Sequence, residues 1–163
     1  MPMARDVTSA IRSLLIPLEG QYMLVPNSAV AEILTYRETR AVPGAPAWFI
    51  GMLSWRNQTI PVISFEAVAG GATPEVSPRT RIAVFNTVGA NPAYLRFYAV
   101  LTQGFPSLIN IDKASIAPLG SDDQVAEGVA SKVLVAGRPA AIPDLDHIES
   151  CLVDRQQVLP AEL

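Results

Sequence analysis

The sequence predicts an all-β protein of barrel type with short connecting helices, and three observations carry that reading. Fourteen prolines and ten glycines are spread evenly through the 163 residues, so they punctuate short elements rather than mark one linker. The segments between them are short, apolar and bounded by turn formers, as strands are. Long amphipathic helices are missing, which leaves barrels as the way to bury the apolar faces.

The elements follow in order. Ser13–Leu18 and Gln21–Pro26 read as two strands joined by a Gly turn. Asn27 or Ser28 then caps a helical turn that places Val30, Ile33 and Leu34 on one side. Trp48–Trp55 and Thr59–Phe65 are strands, and Ser64 can cap a turn over Phe65–Ala69 that stops at Gly70-Gly71. Strands are expected again at Thr80–Thr87, Tyr94–Leu101, Ser131–Ala136 and Pro139–Ile142. A last helix begins at Asp144 and carries Leu145, Ile148 and Leu152 on one face. Residues 69–78 and 120–127 read as loops, and 1–11 and 156–163 as tails.

The chain also echoes itself. Tyr22-Met23-Leu24-Val25, followed by Val30 and Ile33, returns as Tyr98-Ala99-Val100-Leu101, followed by Pro106 and Ile109. Eighty positions apart, Leu53, Trp55, Ile60, Val62, Phe65 and Val68 meet Val133, Val135, Ala140, Ile142, Leu145 and Ile148. Two β-subdomains built from one ancestral pattern account for both shifts.

Composition excludes several functions. With 12 basic against 15 acidic residues, a formal charge of −3 and only Lys113 and Lys132 as lysines, the chain carries no basic patch for nucleic acid or an anionic membrane. Cys151 is the single cysteine, so no internal disulfide and no oxidising compartment is implied. The apolar run Leu14-Leu15-Ile16 is interrupted by Arg12, Pro17 and Glu19, and is neither a signal segment nor a membrane span. A cytoplasmic protein is expected. Charged residues make up 17%, below the roughly 25% of an average globular protein. The chain therefore has much apolar surface to hide, some of it against partners.

No catalytic constellation is evident. Neither Gly-rich phosphate loop occurs. His147 and Cys151, four apart on the last helix, are the one catalytic hint, and a small hydrolase or thiol enzyme is the rival reading they support. Their neighbours Asp144, Asp146, Glu149 and Asp154 disfavour a thiolate. A zinc site would have to draw its remaining ligands from carboxylates of that same helix, so no metal or cofactor is expected. A generic barrel module for peptides or small ligands is a third reading.

Residues 41–66, AVPGAPAWFIGMLSWRNQTIPVISFE, stand out. Two apolar strands flank the tight link Arg56-Asn57-Gln58, and Asn57 suits a left-handed turn position. Arg56 is then held at a rigid tip beside Trp55, where its planar guanidinium can make bidentate contact with a partner's carboxylate or carbonyls.

Here the residues resemble a known family. From Arg12 to Leu152 the chain is similar to a CheW-type chemotaxis coupling domain: SLLIPLEGQYMLVP matches its opening strand pair, Val30-Ala31-Glu32-Ile33 its V-x-E-I helix, and Gly51 to Phe65 its core signature, with Gly51, Arg56 and Pro61 in place. Val100 to Phe105 and Val133 to Leu145 match its later segments. The resemblance implies a 12–155 domain of two SH3-like five-stranded β-barrel subdomains around a shared hydrophobic core. It also implies a non-enzymatic scaffold that links the cytoplasmic tips of chemoreceptors to the regulatory domain of a chemotaxis histidine kinase. Carried over by alignment, the receptor-binding set is Val30, Glu32, Ile33, Arg56, Asn57 and, from the family's V-D-x-V helix region, Leu108, and the kinase-binding set is Trp55 and Phe105. Trp55, Asn57 and Ser64 stand where the family has Leu, Gly and Asp, and Thr102 stands near its second-half Asp. These departures suggest an accessory or specialised member, such as one serving a pilus or other non-flagellar system.

Overall fold

The computed structural model describes residues 11–87, 95–112, 114–120 and 126–158. The strands are β1 (Ile11–Pro17), β2 (Tyr22–Pro26), β3 (Val30–Thr35), β4 (Phe49–Trp55), β5 (Gln58–Ile63), β6 (Arg81–Asn86), β7 (Phe97–Thr102), β8 (Ser107–Ile111), β9 (Ile116–Pro118), β10 (Val129–Val135) and β11 (Arg138–Pro143). Among the described residues, two α-helices accompany them, α1 (Phe65–Val68) and α2 (Leu145–Val158), with a 3₁₀ turn at Asn27–Ala29.

The strands form a six-stranded sheet, order β8-β1-β2-β11-β10-β9, and a five-stranded sheet, order β3-β6-β7-β5-β4. These are the two β-subdomains, and the sixth strand is the three-residue β9 at one edge. Side chains alternate between two destinations. In β7, Ala99 and Leu101 enter the cluster inside the five-stranded sheet with Leu53, Trp55, Ile60, Val62, Ile82 and Val84. Tyr98 and Val100 face the other way, into a core shared by both sheets with Ile16, Met23, Val25, Phe85, Ile148 and Leu152. Leu15, Leu24, Val133, Val135 and Ala140 fill the six-stranded sheet. A strand buried on both faces reads as a continuous apolar run, which is why YMLVP and FYAVLT lack polar alternation.

The internal echo is structural. The β4–β5 and β10–β11 hairpins share their register, Gly51↔Val62 and Ser131↔Ile142, and both carry an irregularity at the same place, after Phe49 and after Val129. Ser64 N donates to Trp48 O at 2.9 Å, and eighty residues on Asp144 N donates to Gly128 O at 2.8 Å. Each hairpin then leads into a capped helix. Ser64 Oγ accepts from Ala67 N at 3.2 Å, and Asp144 Oδ1 accepts from His147 N at 3.1 Å.

The two repeats interlock. The β1–β2 hairpin of the first repeat pairs with β8 and β11 of the second, through Leu14↔Leu108 and the parallel contact Met23↔Ala141. The β6–β7 hairpin of the second pairs with β3 and β5 of the first, through Ile33↔Ala83 and Val62↔Ala99. Each sheet is completed by strands of the other repeat.

Three expectations are corrected. The expected helical turn over Val30–Leu34 is strand β3: only Asn27–Ala29 coil, Pro26 precedes them, and no side chain caps the turn. An irregularity between Val30 and Glu32 shifts the two-residue period, so Val30 and Ile33 reach the shared core while Ala31 and Leu34 reach the barrel interior. That spacing imitates a helix. The segment around Leu108, matched to a family helix, is the edge strand β8. Helix α2 runs to Val158, past the expected start of the tail. The expected 1–11 tail lies outside the described residues up to residue 10, as do Tyr94 and residues 121–125. Among the described residues, no helix is long and apolar enough to cross a membrane.

Candidate functional site

The site grows from the β4–β5 hairpin. Alternation along β4 sends Leu53 and Trp55 inward, and Trp55 is only 4% exposed, edge-on to Phe97 at 5.0 Å. With Trp55 paired to Gln58, the loop is the two residues Arg56 and Asn57. Both have positive φ, 46° and 62°, the signature of a type I′ turn, whose twist matches that of the strands. The equivalent turn of the other repeat, Ala136-Gly137, has φ of 51° and 79°.

Arg56 is held on three sides. Its backbone is fixed by the turn, its guanidinium carbon lies 4.7 Å from the Trp55 ring centroid, and Nη2 donates to Glu32 Oε1 at 3.0 Å. The indole Nε1 of Trp55 donates to that same oxygen, also at 3.0 Å. Glu32 lies on β3, the far edge strand of the sheet, so one carboxylate ties both edges together and satisfies a buried N–H. The Arg56 side chain remains 65% exposed, leaving most of its donor fork toward solvent.

The other expected residues do not gather in one place. Asn57 is exposed beside Arg56. Val30 and Ile33 are half-buried at the rim of the shared core, where Leu14 also packs. Leu108, 51% exposed, is on the other sheet, directly opposite Leu14. The structure thus sets Arg56, Glu32 and Asn57 at one barrel end, Val30, Ile33 and Leu14 against the shared core, and Leu108 across from Leu14 on the other sheet. Phe105, 68% exposed, stands between β7 and β8. Trp55, expected as a kinase contact, has its ring in the barrel interior. Its inward place follows from the alternation of β4, which was readable.

The thiol region brings three polar side chains together. Cys151 Sγ lies 3.6 Å from His147 Nε2, which lies 3.2 Å from Glu127 Oε2. Burial, and then the charges of Glu127 and Asp154, push the Cys151 pKa up, so the thiol stays protonated where a nucleophile needs a thiolate. Glu127 reaches the pair from the loop before β10, a residue that sequence spacing could not have found. An open hollow of about 450 Å³ between Pro17–Tyr22, Arg79, Gln103 and Pro139 has none of these groups in its wall.

Residues 12–150 match the CheW-like domain. Among solved structures, the chain is similar to the scaffolding protein TtCheW from Thermoanaerobacter tengcongensis, with a TM-score of 0.69 over 83% of this chain and 85% of that one. Identity is 18%, so this likeness speaks for the fold. No curated protein matches the chain.

Proposed function

The chain belongs to the CheW-like domain family, and from that premise we propose that it is a non-enzymatic adaptor coupling the cytoplasmic tips of chemoreceptors to a chemotaxis histidine kinase. The observation that carries this reading is the pinned Arg56. Turn, indole and Glu32 already restrict its conformational freedom, so a partner's carboxylate or helix-end carbonyl gains a donor fork at reduced ordering cost. Asn57 and Glu32 border that contact, and Val30, Ile33 and Leu108 are proposed as a second, apolar part of the receptor surface.

Phe105 is the proposed contact for the kinase's regulatory domain, since a large ring this exposed suits an interface anchor. The adaptor would work in the cytoplasm at receptor arrays, held there by its partners. The residues Trp55, Asn57 and Ser64, which depart from the family pattern, fit a specialised member of the kind serving a pilus-type system.

The test is calorimetric titration of the purified chain with a receptor tip fragment and, in parallel, with the kinase regulatory domain. Arg56→Glu is expected to weaken receptor-tip binding about thirtyfold, near 2 kcal/mol. Kinase binding and thermal unfolding should stay close to wild type. Unchanged receptor affinity in the folded variant rejects the Arg56 assignment, and absence of binding to both partners rejects the adaptor reading.

A further inference from the structure

We propose that Glu127, His147 and Cys151 form a three-ligand site for a zinc-class divalent cation. The chain has one histidine and one cysteine, and the fold places their Nε2 and Sγ 3.6 Å apart on one face of α2. Glu127 Oε2, from the loop before β10, lies 3.2 Å from the same Nε2, and the three ligand atoms are all within 4.8 Å of one another. Ligands bound at about 2.0–2.3 Å around a tetrahedral zinc stand about 3.3–3.6 Å apart, so two of the three edges of the triangle are already at coordination spacing. A small rotation of the exposed Glu127 side chain closes the third.

The donor set is chemically selective. Thiolate, imidazole and carboxylate together suit zinc and cobalt, and leave calcium and magnesium, which prefer oxygen ligands, without a cage. The fourth position faces solvent, because the side chains of Glu127 and His147 are 65% and 38% exposed, and a water would complete it. Asp154, one turn beyond Cys151, adds a second negative charge that favours a cation. On binding, the Sγ–H bond gives its proton to solvent and the sulfur lone pair takes the metal. The cation would tie the loop before β10 to α2, whose Ile148 and Leu152 pack into the shared core.

The test uses the tag-free chain, cleared of metal with a chelator and titrated with Co²⁺. Binding at one equivalent is expected, with the charge-transfer absorption of a cobalt–thiolate bond and displacement by Zn²⁺. Cys151→Ser should abolish that absorption, and His147→Gln and Glu127→Gln should each weaken binding about 10–100-fold, the loss that even an outer-shell change causes. Thermal unfolding of the metal-free variants checks their folding, and Glu127→Gln, at an exposed loop position, keeps the test decisive if a helix variant fails. Absence of the thiolate absorption at one equivalent, or cobalt affinity unchanged in Glu127→Gln and His147→Gln, overturns the proposal.

Discussion

Glu32 and Arg56, 24 residues apart in sequence, meet at 3.0 Å, and the oxygen that joins them also accepts the Trp55 indole N–H. The two contacts differ in worth. The ion pair is exposed, so a double-mutant cycle of Glu32→Ala with Arg56→Ala should return only about 0.2–1 kcal/mol of coupling. Glu32→Ala alone should cost about 1–3 kcal/mol in urea unfolding, because it leaves a buried N–H without its acceptor. Glu32→Gln, which keeps an acceptor oxygen, should recover most of that. Equal losses in the two variants would place the stabilisation in the charge.

The turn beside it should be intolerant of branched residues. Asn57→Val forces a β-branched side chain into a left-handed position and should lower unfolding free energy by about 1–2 kcal/mol. Asn57→Gly should not destabilise. Denaturant melts of both variants give the comparison.

Gly51 lies where the chain crosses itself. Arg40 and Met52 exchange backbone hydrogen bonds at 2.8 Å, and a Cβ at Gly51 would fall 2.7 Å from both Arg40 O and Thr39 Oγ1. Gly51→Ala must push that segment away, at about 1–3 kcal/mol. Wild-type stability would show that residues 39–40 yield freely.

Alkaline pH should unfold the protein through Tyr98. Its hydroxyl donates to Glu149 at 3.3 Å within the shared core, and burial, followed by the charge of Glu149, raises its pKa far above that of a free phenol. The folded state therefore prefers the protonated phenol. That preference stabilises it fully below the ordinary tyrosine pKa, and the stabilisation is lost as pH rises beyond it. Absorbance titration should show one phenol ionising only as the fold melts, and Tyr98→Phe should remove that step.

Phe105→Ser should weaken binding to the kinase regulatory domain while leaving receptor-tip affinity and thermal unfolding unchanged, since the ring is solvent-exposed. Unaltered kinase affinity would remove Phe105 from that interface.

Much of the architecture was legible because strands with buried, regularly alternating residues announce themselves. The β4–β5 and β10–β11 hairpins have buried, alternating residues at fixed spacing, and their eighty-residue echo survives in register, irregularity and cap. The misread segments are edges. β3 carries an irregularity that turns a two-residue period into a three-residue one, and β8 is largely exposed, so hydrophobic alternation had little to mark it. At the site, the left-handed Asn57 was readable from residue type, but the grip of Glu32 on both Trp55 and Arg56 was not. It depends on two sheet edges curling toward each other, as the meeting of Glu127 with His147 depends on a loop folding back onto α2.

The interlocked hairpins make the two halves interdependent. A chain of half this length, carrying one repeat, would own a hairpin with no sheet to join and a sheet lacking its central strands. Each half of the chain therefore depends on the other to complete its sheet, as the partners of a strand-swapped dimer do. The paired turns differ within that shared frame: one presents Arg56, its counterpart Ala136.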